Sequence, residues 1–303
     1  MTLTVRTPVL DIACEAQGDP AAPAIVLAHG FPDDVRAWDR VVPALVAAGY
    51  RTLAPYTRGF GGTRFRDPQA MRSGQIAALG QDLLAFIDAM GLARCVVVGH
   101  DWRARAAYVA AVAAPERIAG LVALSVGYAT SSPAAQISID QAHSYWYQWY
   151  FATPRGERAL TDDRHAFCRY LWQVWAPNWP FTDAEYDATA KAFDNPDFIA
   201  VTMHSYRQRW GFAPDDPAAA DLHARMLQNP KVAVPTTMLH GDADGATRPE
   251  TSAGKDAFFT AGYRREVLPG IGHFIQREAP QAVIDATLAH AARLRTPANG
   301  GAR

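Results

Sequence analysis

Long apolar runs, a basic amino-terminal segment and an excess of either charge are all missing from this sequence. Its apolar runs are far shorter than the roughly 20 residues that a membrane-spanning helix needs. Its first residues, MTLTVRTPVLDIACEA, contain no basic stretch followed by an apolar one, which argues against a signal peptide. The formal net charge of −1 gives no electrostatic attraction to nucleic acid or to an anionic membrane. We therefore expect neither of them as a partner.

Cysteine is also scarce. The three cysteines, Cys14, Cys95 and Cys168, are odd in number and far apart in the chain. This spacing matches neither a disulfide framework nor a set of metal ligands. We therefore expect a reducing, cytoplasmic location, no bound metal and no organic cofactor.

The chain does have an ordinary globular composition, with 49% apolar and 19% charged residues among its 303 positions. Strand-like apolar runs lie at 24–28, 52–55, 95–98, 121–124, 236–239 and 264–268. Helical spacing of apolar residues covers 35–48, 75–90, 103–114 and 280–293. This alternation predicts an α/β fold with a mostly parallel central sheet and helices on both faces.

Residues 129–232 interrupt the alternation. They are mostly helical in pattern and hold six of the eight tryptophans. We expect them to form an inserted helical cap that roofs an apolar pocket, although a second domain with an aromatic core would have the same composition. The α/β core would then comprise residues 1–128 and 233–295. The Gly-, Pro- and Ala-rich end, 296–303, is expected to be a flexible tail.

The segment VVVGHDW, residues 96–102, has the pattern of a buried strand that turns sharply into a helix. This context is typical of a nucleophile elbow, in which the turn holds the central side chain above the sheet. That residue is Asp101, an acid that is ionised at neutral pH and needs no base to attack an sp³ carbon. The alternative is that Asp101 only caps the following helix.

The segment HGFP, residues 29–32, follows the strand at 24–28. In such a fold, the backbone N–H of Phe31 and that of Trp102 would form an oxyanion hole for a tetrahedral intermediate on the ester. A plain Gly-Pro turn is the alternative for HGFP. Trp102 could instead be a core residue, or its indole N–H could bind a departing halide.

A general base and its supporting acid lie in the last third of the chain. His273, in Gly272-His273-Phe274, follows the strand near 264–268, and histidine is the natural base at neutral pH. Asp244 follows the strand at 236–239 and keeps the chain order of nucleophile, acid and base. Asp242 is the rival acid, and it would otherwise hold the turn.

These segments together resemble the α/β-hydrolase superfamily, and within it the epoxide hydrolases and the haloalkane and haloacetate dehalogenases. The resemblance extends over about residues 22–290. It rests on the motifs HGFP (29–32), RGFGGT (58–63), GHDW (99–102), HGDAD (240–244) and GHFIQ (272–276). It implies the α/β-hydrolase fold, a helical cap and catalysis by an aspartate nucleophile.

The cap sequence is most similar to that of epoxide hydrolases. WYQWYF (146–151) and SYRQRW (205–210) resemble the segments that carry the two cap tyrosines of that group, which implies Tyr147 and Tyr206. Two phenol O–H groups can stabilise and protonate the oxygen of an opening epoxide. Both tyrosines could instead only pack in an aromatic cap. We expect the substrate to be a small apolar molecule that contacts Phe31, Trp102, Trp146, Trp149, Tyr150 and Phe274.

Two residues depart from the pattern that the resemblance implies. Arg103 occupies a position of the elbow that usually holds glycine, so its side chain must point away or the turn must differ. Thr57 replaces an acid that is common before the RG-x-G turn. Arg105 matches one of two arginines that hold the substrate carboxylate in haloacetate dehalogenases, but the other position is Trp102, and we expect Arg105 to be a solvated helix residue.

We therefore predict an epoxide hydrolase that forms an ester on Asp101, with His273 and Asp244 activating water. A dehalogenase with the same nucleophile is the first alternative, and the polar side chain that haloalkane dehalogenases place after His-Gly is absent, because Phe31 stands there. A ligand-binding protein that has lost turnover is the second. A homodimer is left open.

Overall fold

The computed structural model of the protein describes residues 1–130 and 136–295. Its β-strands are β1 (Thr2–Arg6), β2 (Leu10–Gln17), β3 (Ala24–Ala28), β4 (Arg51–Pro55), β5 (Arg64–Phe65), β6 (Cys95–His100), β7 (Ile118–Leu124), β8 (Thr236–Gly241) and β9 (Tyr263–Leu268). Its α-helices are α1 (Val42–Ala47), α2 (Ile76–Ala89), α3 (Trp102–Ala113), α4 (Ile139–Ser144), α5 (Trp146–Phe151), α6 (Pro154–Asp162), α7 (Arg164–Trp175), α8 (Asp183–Ala190), α9 (Phe198–Arg209), α10 (Ala220–Leu227), α11 (Ile275–Glu278) and α12 (Pro280–Ala291). The predicted tail 296–303 and residues 131–135 of the predicted cap lie outside the described residues.

The strands form one sheet in the order β1-β2-β4-β3-β6-β7-β8-β9, and β5 pairs with β2. The strands from β4 through β9 along this order are parallel, and β1, β2 and β5 pair in antiparallel fashion. The mostly parallel sheet that the alternating pattern predicts is therefore confirmed.

Helices cover both faces of the sheet. Alternate residues of a strand point to opposite faces, so each strand contributes side chains to both layers. On β6, Val97 packs into a cluster with α2 and α3, whereas Val96 and Val98 pack into a second cluster with α1 and α12. The apolar run at 95–98 needs no polar alternation, since neither face meets water.

The predicted helix over 35–48 is two separate pieces. A 3-10 turn covers Val35–Trp38, and α1 begins only at Val42. The side chain of Asp34 accepts a hydrogen bond from the Arg36 N–H and caps the first piece. Pro43 lies in the first turn of α1, where its missing N–H is tolerated, but it could not have continued a preceding helix.

The helices α4 to α10 lie between β7 and β8, in the stretch for which the sequence predicts a cap. Their inner faces join side chains of the core in a third buried apolar cluster that is rich in aromatic rings. Phe31, Trp102 and Phe274 enter it from the core, and Tyr147 and Tyr206 enter it from α5 and α9. In the described part of the chain, no helix is both long and apolar enough to span a membrane.

Candidate active site

The turn between β6 and α3 presents Asp101 in an unusual backbone conformation. Its φ is 48° and its ψ is −115°, a backbone conformation that residues other than glycine rarely adopt. Asp101 stands at the N-cap position of α3, but its side chain makes no capping hydrogen bond. A Cβ on Gly99 would lie 2.4 Å from the carbonyl oxygen of Arg103, so glycine is required where the strand meets the helix. The turn therefore leaves the Asp101 carboxylate available to other groups.

His273 connects two carboxylates. Its Nδ1 is 2.8 Å from Asp244 Oδ2, and its Nε2 is 3.7 Å from Asp101 Oδ1. The other oxygen of Asp244 accepts the backbone N–H groups of Ala246 and Thr247, both at 2.8 Å. Asp242, the rival acid, instead accepts the N–H of Gly270 at 2.6 Å and holds the turn. The structure thus brings Asp101, His273 and Asp244 into one chain of contacts.

The electrostatics of this chain favour an ion triplet. Burial opposes the charged form of His273, but Asp244 and Asp101 outweigh it and raise the pKa of His273 to about 10. Burial would raise the pKa of Asp101, but the positive charge of His273, whose Nε2 lies 3.7 Å from Asp101 Oδ1, lowers it overall. The pKa of Asp244 lies well below its usual range, because His273 and His240 outweigh the effect of burial. Asp101 is therefore a carboxylate at neutral pH, as a nucleophile must be.

One backbone N–H group reaches the Asp101 carboxylate from the loop after β3. The N–H of Phe31 donates to Asp101 Oδ2 at 3.3 Å. A Cβ on Gly30 would lie 2.5 Å from the Cβ of Asp101, so only glycine allows the two segments to come this close. Trp102 is the first residue of α3, and the first N–H groups of a helix have no acceptor within it. This is the arrangement expected of an oxyanion hole.

The two predicted cap tyrosines lie together in the third buried apolar cluster. Their rings meet edge to face with centroids 5.3 Å apart, and both side chains are buried. The Tyr147 hydroxyl accepts a hydrogen bond from the side-chain amide of Gln148 at 2.8 Å. The Tyr206 hydroxyl accepts one from the indole N–H of Trp102 at 3.2 Å. Each phenol therefore uses its oxygen as an acceptor and keeps its own proton for donation.

Burial raises the pKa of both tyrosines, and the nearby negative charge of Asp101 raises it further. Both phenols are therefore protonated at neutral pH. The ring of Tyr206 also packs on those of Phe31 and Trp102, with centroids 5.6 Å and 5.5 Å away, and the N–H of Phe31 donates to Asp101, so the pair lies close to the carboxylate.

The sequence model of the alpha/beta hydrolase fold family matches residues 23–280 of the chain. The chain belongs to this family. It is 30% identical to Epoxide hydrolase A of Mycobacterium tuberculosis, over 89% of this chain and 91% of that protein. It is 26% identical to Epoxide hydrolase 3 of Xenopus tropicalis, over 88% of this chain and 71% of that protein.

Solved structures agree with this assignment. A proposed epoxide hydrolase from Klebsiella pneumoniae superposes with a TM-score of 0.92 at 35% identity, covering 96% of this chain and 97% of that one. The resemblance to an epoxide hydrolase-like α/β-hydrolase is therefore confirmed, and the chain is a hydrolase.

Three aromatic residues that were predicted to line the substrate pocket of this α/β-hydrolase lie elsewhere. Helical periodicity turns Tyr147 and Phe151 of α5 inward, and it turns Trp146, Trp149 and Tyr150 away. Trp149 is exposed and its ring packs on Trp210 with centroids 4.3 Å apart. Trp146 and Tyr150 pack against Phe167 of α7. Their placement in the pocket was wrong because the phase of a short helix depends on its packing.

The other predicted contacts, Phe31, Trp102 and Phe274, lie close to Asp101 and His273. Phe31 stacks on Trp102 with ring centroids 5.1 Å apart, and Phe274 packs edge-on against His273. All three rings are fully buried. They form apolar surroundings that would strengthen the electrostatic interactions of Asp101.

The two departures from the pattern of the family contact each other. Arg103 is buried, and its Nε–H donates to the hydroxyl of Thr57 at 3.2 Å while its Nη1 donates to the carbonyl of Leu79 at 2.8 Å. Burial lowers the pKa of Arg103 to about 10. The Thr57 hydroxyl in turn donates to the carbonyl of His29, next to the loop of the oxyanion hole. Arg103 therefore points away from Asp101, to the underside of the elbow.

A cavity of about 510 Å³ lies between α2 and α3 on one side and α9 and α10 on the other, and neither Tyr147 nor Tyr206 lines it. Arg105 and Tyr145 line it together with residues of α2, α9 and α10, but Asp101 does not. The expectation that Arg105 is solvated was wrong, since its side chain is buried and donates to the hydroxyl of Thr130 at 2.6 Å. Its position one turn after Asp101 places it on the inner face of α3, which is buried along its whole length.

Sequence reasoning missed two polar groups at the tyrosine pair. Gln148 interrupts an aromatic run, and a buried amide in such a run signals a hydrogen-bonding role. Arg209 lies with its guanidinium 5.2 Å from the centre of the Tyr206 ring, and no sequence pattern marks it. In residues 1–130 and 136–295, no group of three or more His, Cys, Asp or Glu side chains could hold a metal ion.

Proposed function

We propose that this α/β-hydrolase opens an epoxide to a vicinal diol through an ester on Asp101. The observation that carries the proposal is the pair of buried phenols, Tyr147 and Tyr206, each accepting an N–H and each under the influence of the Asp101 charge. Proton donors opposite a carboxylate nucleophile are what an epoxide needs, because its leaving oxygen stays attached to the substrate and must be protonated. Relatives named as epoxide hydrolases support the same reaction.

In the first step, an oxygen of Asp101 attacks an epoxide carbon and the bond from that carbon to the ring oxygen breaks. Tyr147 and Tyr206 hydrogen bond to the oxygen as it becomes an alkoxide, and one of them transfers its proton. The product of this step is a hydroxyalkyl ester of Asp101.

In the second step, His273 removes a proton from water, which attacks the carbonyl carbon of the ester. The oxyanion that forms is held by the backbone N–H groups of Phe31 and Trp102. Esterification removes the negative charge of Asp101, so the pKa of His273 falls. The proton that its imidazolium releases passes through solvent to the tyrosinate left by the first step, which restores the tyrosine and leaves His273 as a neutral base. Collapse of the intermediate breaks the bond between the carbonyl carbon and the alkyl oxygen, and the imidazolium of His273 protonates that oxygen as the diol leaves. The carboxylic acid formed at Asp101 then returns its proton to His273, whose imidazolium Asp244 stabilises.

The dehalogenase alternative has weaker support. A halide-binding role would use the indole N–H of Trp102, but this group donates to Tyr206. A carboxylate clamp would use Arg105, which donates to Thr130, and a second arginine at the position that Trp102 holds. A hydroxyl proton donor is not needed when the leaving group is a halide.

Trapping the ester tests the proposal. We expect His273→Ala treated with styrene oxide to gain the full mass of the epoxide on the peptide that contains Asp101, since nothing is lost when the ring opens. Asp101→Asn is the matched control and should gain nothing. Chloroacetate, fluoroacetate and a bromoalkane form a parallel panel, in which halide release without diol formation from any epoxide would reject epoxide hydrolysis. No adduct with any electrophile would favour the ligand-binding alternative.

The remaining predictions concern the cellular compartment, the oligomeric state and the domain boundaries. Cys14, Cys95 and Cys168 are buried free thiols, which is compatible with the reducing compartment that the sequence suggests. The homodimer, and the division of the chain into core and cap at 129 and 232, stay proposals.

A further inference from the structure

The end of the cap helix α7 is hydrogen-bonded to the two loops that carry Asp244 and His273. The backbone carbonyl of Trp175, the last residue of α7, accepts the N–H of His273 at 3.0 Å and that of Gly245 at 3.1 Å. A Cβ on Gly245 would lie 2.0 Å from the carbonyl oxygen of Val174, so only glycine lets the helix come this close. The position of Trp175 relative to His273 is therefore fixed by the backbone.

The side chain of Trp175 lies among the groups that are proposed to react. Its ring is fully buried, with its centroid 5.0 Å from that of His273 and 4.8 Å from that of Tyr147. The rings of Phe31 and Phe274 lie farther away, at 6.3 Å and 6.4 Å. Because the indole nitrogen is itself buried, an acceptor for its N–H has to lie inside the protein, next to these rings.

Two nitrogens of these neighbouring rings have no hydrogen-bond partner within residues 1–130 and 136–295. They are Trp175 Nε1 and His273 Nε2, and both are buried. Since the pKa of His273 is about 10, its Nε2 carries a proton at neutral pH, and both nitrogens are donors. Asp101 Oδ1 is 3.7 Å from Nε2, which is too far for a direct hydrogen bond. Buried N–H groups without an acceptor are costly, so the arrangement indicates a site for a small acceptor.

Water has the size and the hydrogen-bonding capacity that this site needs. Buried waters make about three hydrogen bonds to groups that would otherwise be unsatisfied. Here the oxygen of one water would accept the N–H groups of Trp175 and His273, and one of its O–H groups would donate to Asp101. A separation above about 3.5 Å between polar atoms is where a bridging water is expected. An anion would be repelled by the carboxylate of Asp101 at the same place, so a neutral molecule is favoured.

We propose that the indole N–H of Trp175 holds the water molecule that hydrolyses the ester of Asp101. This inference rests on the proposed function, because it adds a group to the second step of that reaction. Once the ester has formed and His273 is neutral, Nε2 accepts one O–H of the water. The N–H of Trp175 then occupies one lone pair of the water oxygen and leaves the other free to attack.

In this step, the free lone pair forms a bond to the carbonyl carbon of the ester, and the π electrons of the carbonyl move to its oxygen. The proton of the O–H that faces His273 passes to Nε2. The indole keeps its own proton throughout and fixes the position of the attacking oxygen. The step is the same whether the ester arose from an epoxide or from an organohalide, so the role of Trp175 does not depend on which of them is the substrate.

An isostere that lacks the N–H tests the proposal. Replacement of Trp175 by benzothienylalanine exchanges the N–H for sulfur and keeps the shape of the ring. Rapid-quench mass spectrometry of the Asp101 peptide, with an electrophile of the panel above that forms the ester, measures ester formation and ester hydrolysis separately. We expect hydrolysis to slow by about three- to tenfold, the value of one neutral hydrogen bond, and ester formation to stay within about twofold. Trp175→Phe should show the same selective effect, and both variants should hold more ester at steady state.

Trp38 provides the matched control. Its indole N–H is also buried without a hydrogen-bond partner in the part of the chain that the structure describes, but its ring lies in the second cluster, with α1 and α12. The same replacement there should change neither rate. Unchanged hydrolysis in the Trp175 variant, or an equal slowing of both steps, would overturn the proposal, because the indole would then only pack. Slower ester formation alone would also overturn it, because the N–H would then act on the leaving group.

A crystal structure of the free enzyme distinguishes this inference from the proposed function. We expect a water oxygen within about 3.2 Å of both Trp175 Nε1 and His273 Nε2. If this water is seen and hydrolysis of the ester depends on Trp175, but only organohalides form the ester, epoxide hydrolysis fails and the water site stands. If epoxides are converted and no water lies between the two nitrogens, the reaction stands and the role of Trp175 fails.

Discussion

Arg103 donates a hydrogen bond to Thr57, so the two residues that depart from the pattern of the family stabilise each other. A glycine at position 103 and an acid at position 57 would have left no such pair. The contact explains how a long cationic side chain is accommodated in a nucleophile elbow, since it lies below the turn and not in the site.

The first prediction concerns this contact. We expect a double-mutant cycle of Arg103→Met and Thr57→Val to give a coupling of about 1–2 kcal/mol in the free energy of unfolding, because the bond has a charged donor. Urea denaturation of the four proteins measures it. Additive effects within about 0.3 kcal/mol would mean that the two residues do not stabilise each other.

The acid that orients His273 can be identified with two variants in one turn. Asp244→Asn should lower kcat by about 10²- to 10⁴-fold, because the imidazolium loses its buried counter-charge. Asp242→Asn is the matched control, since its contact is with the Gly270 N–H and not with His273. Steady-state diol formation measures both. A larger loss of kcat in Asp242→Asn than in Asp244→Asn would mean that Asp242 is the acid that orients His273.

The pKa of His273 should depend on Asp101. Its value of about 10 requires both neighbouring carboxylates, so Asp101→Asn should lower it. NMR titration of labelled histidine measures the change, and His273→Gln identifies the resonance. Because the folded pKa exceeds the ordinary value of 6.5, His273 stabilises the fold below that pH, and the contribution is lost as the pH rises toward 10. This loss should be smaller in Asp101→Asn, and an unchanged or higher pKa would contradict the assignment.

The tyrosines should act in the first chemical step. Tyr147→Phe and Tyr206→Phe should each slow ester formation by about 10²-fold, and the double variant should slow it further, since no proton donor remains. Single-turnover quenching of tryptophan fluorescence follows this step, because Trp102 and Trp175 lie against the pair. Tyr170→Phe, an exposed cap tyrosine, should behave as the wild type. Equal rates of ester formation in Tyr147→Phe, Tyr206→Phe and Tyr170→Phe would show that Tyr147 and Tyr206 contribute only to packing.

The indole of Trp102 should act through Tyr206. Removing its N–H in Trp102→Phe should slow ester formation by roughly 10- to 100-fold, the value of one hydrogen bond to the negative charge that develops on the phenol oxygen. In a Tyr206→Phe background the same substitution should have little effect. An equal loss in both backgrounds would assign the indole a packing role only.

The sequence allowed the fold to be predicted where local patterns and topology agree. The all-apolar strand before Gly99 and the Ala-rich helix after Asp101 could have adopted few other arrangements. The order of Asp101, Asp244 and His273 along the chain then follows from the order of parallel strands, whose carboxyl ends meet at one edge of the sheet.

What could not be predicted depends on contacts between distant segments. Charge normally means exposure, so the burial of Arg103 and Arg105 could not be inferred without Thr57 and Thr130, which lie far along the chain. The inward phase of Tyr147 and the outward phase of Trp149 are set by packing of α5 on α7 and α9, because six residues of aromatic sequence carry no clear periodicity. Arg209 could not be singled out from the sequence, because the cavity that it lines forms only when α9 and α10 pack over α2 and α3.

The φ of 48° at Asp101 lowers the stability of the fold, but it presents the carboxylate that the proposed reaction needs. A residue with a side chain costs about 1–3 kcal/mol in such a conformation, whereas glycine adopts it freely. A protein selected only for heat resistance would drift toward glycine at this turn and would lose the proposed nucleophile. A more stable form of this hydrolase must therefore be obtained by substitutions at other positions, with Asp101 kept unchanged in the library.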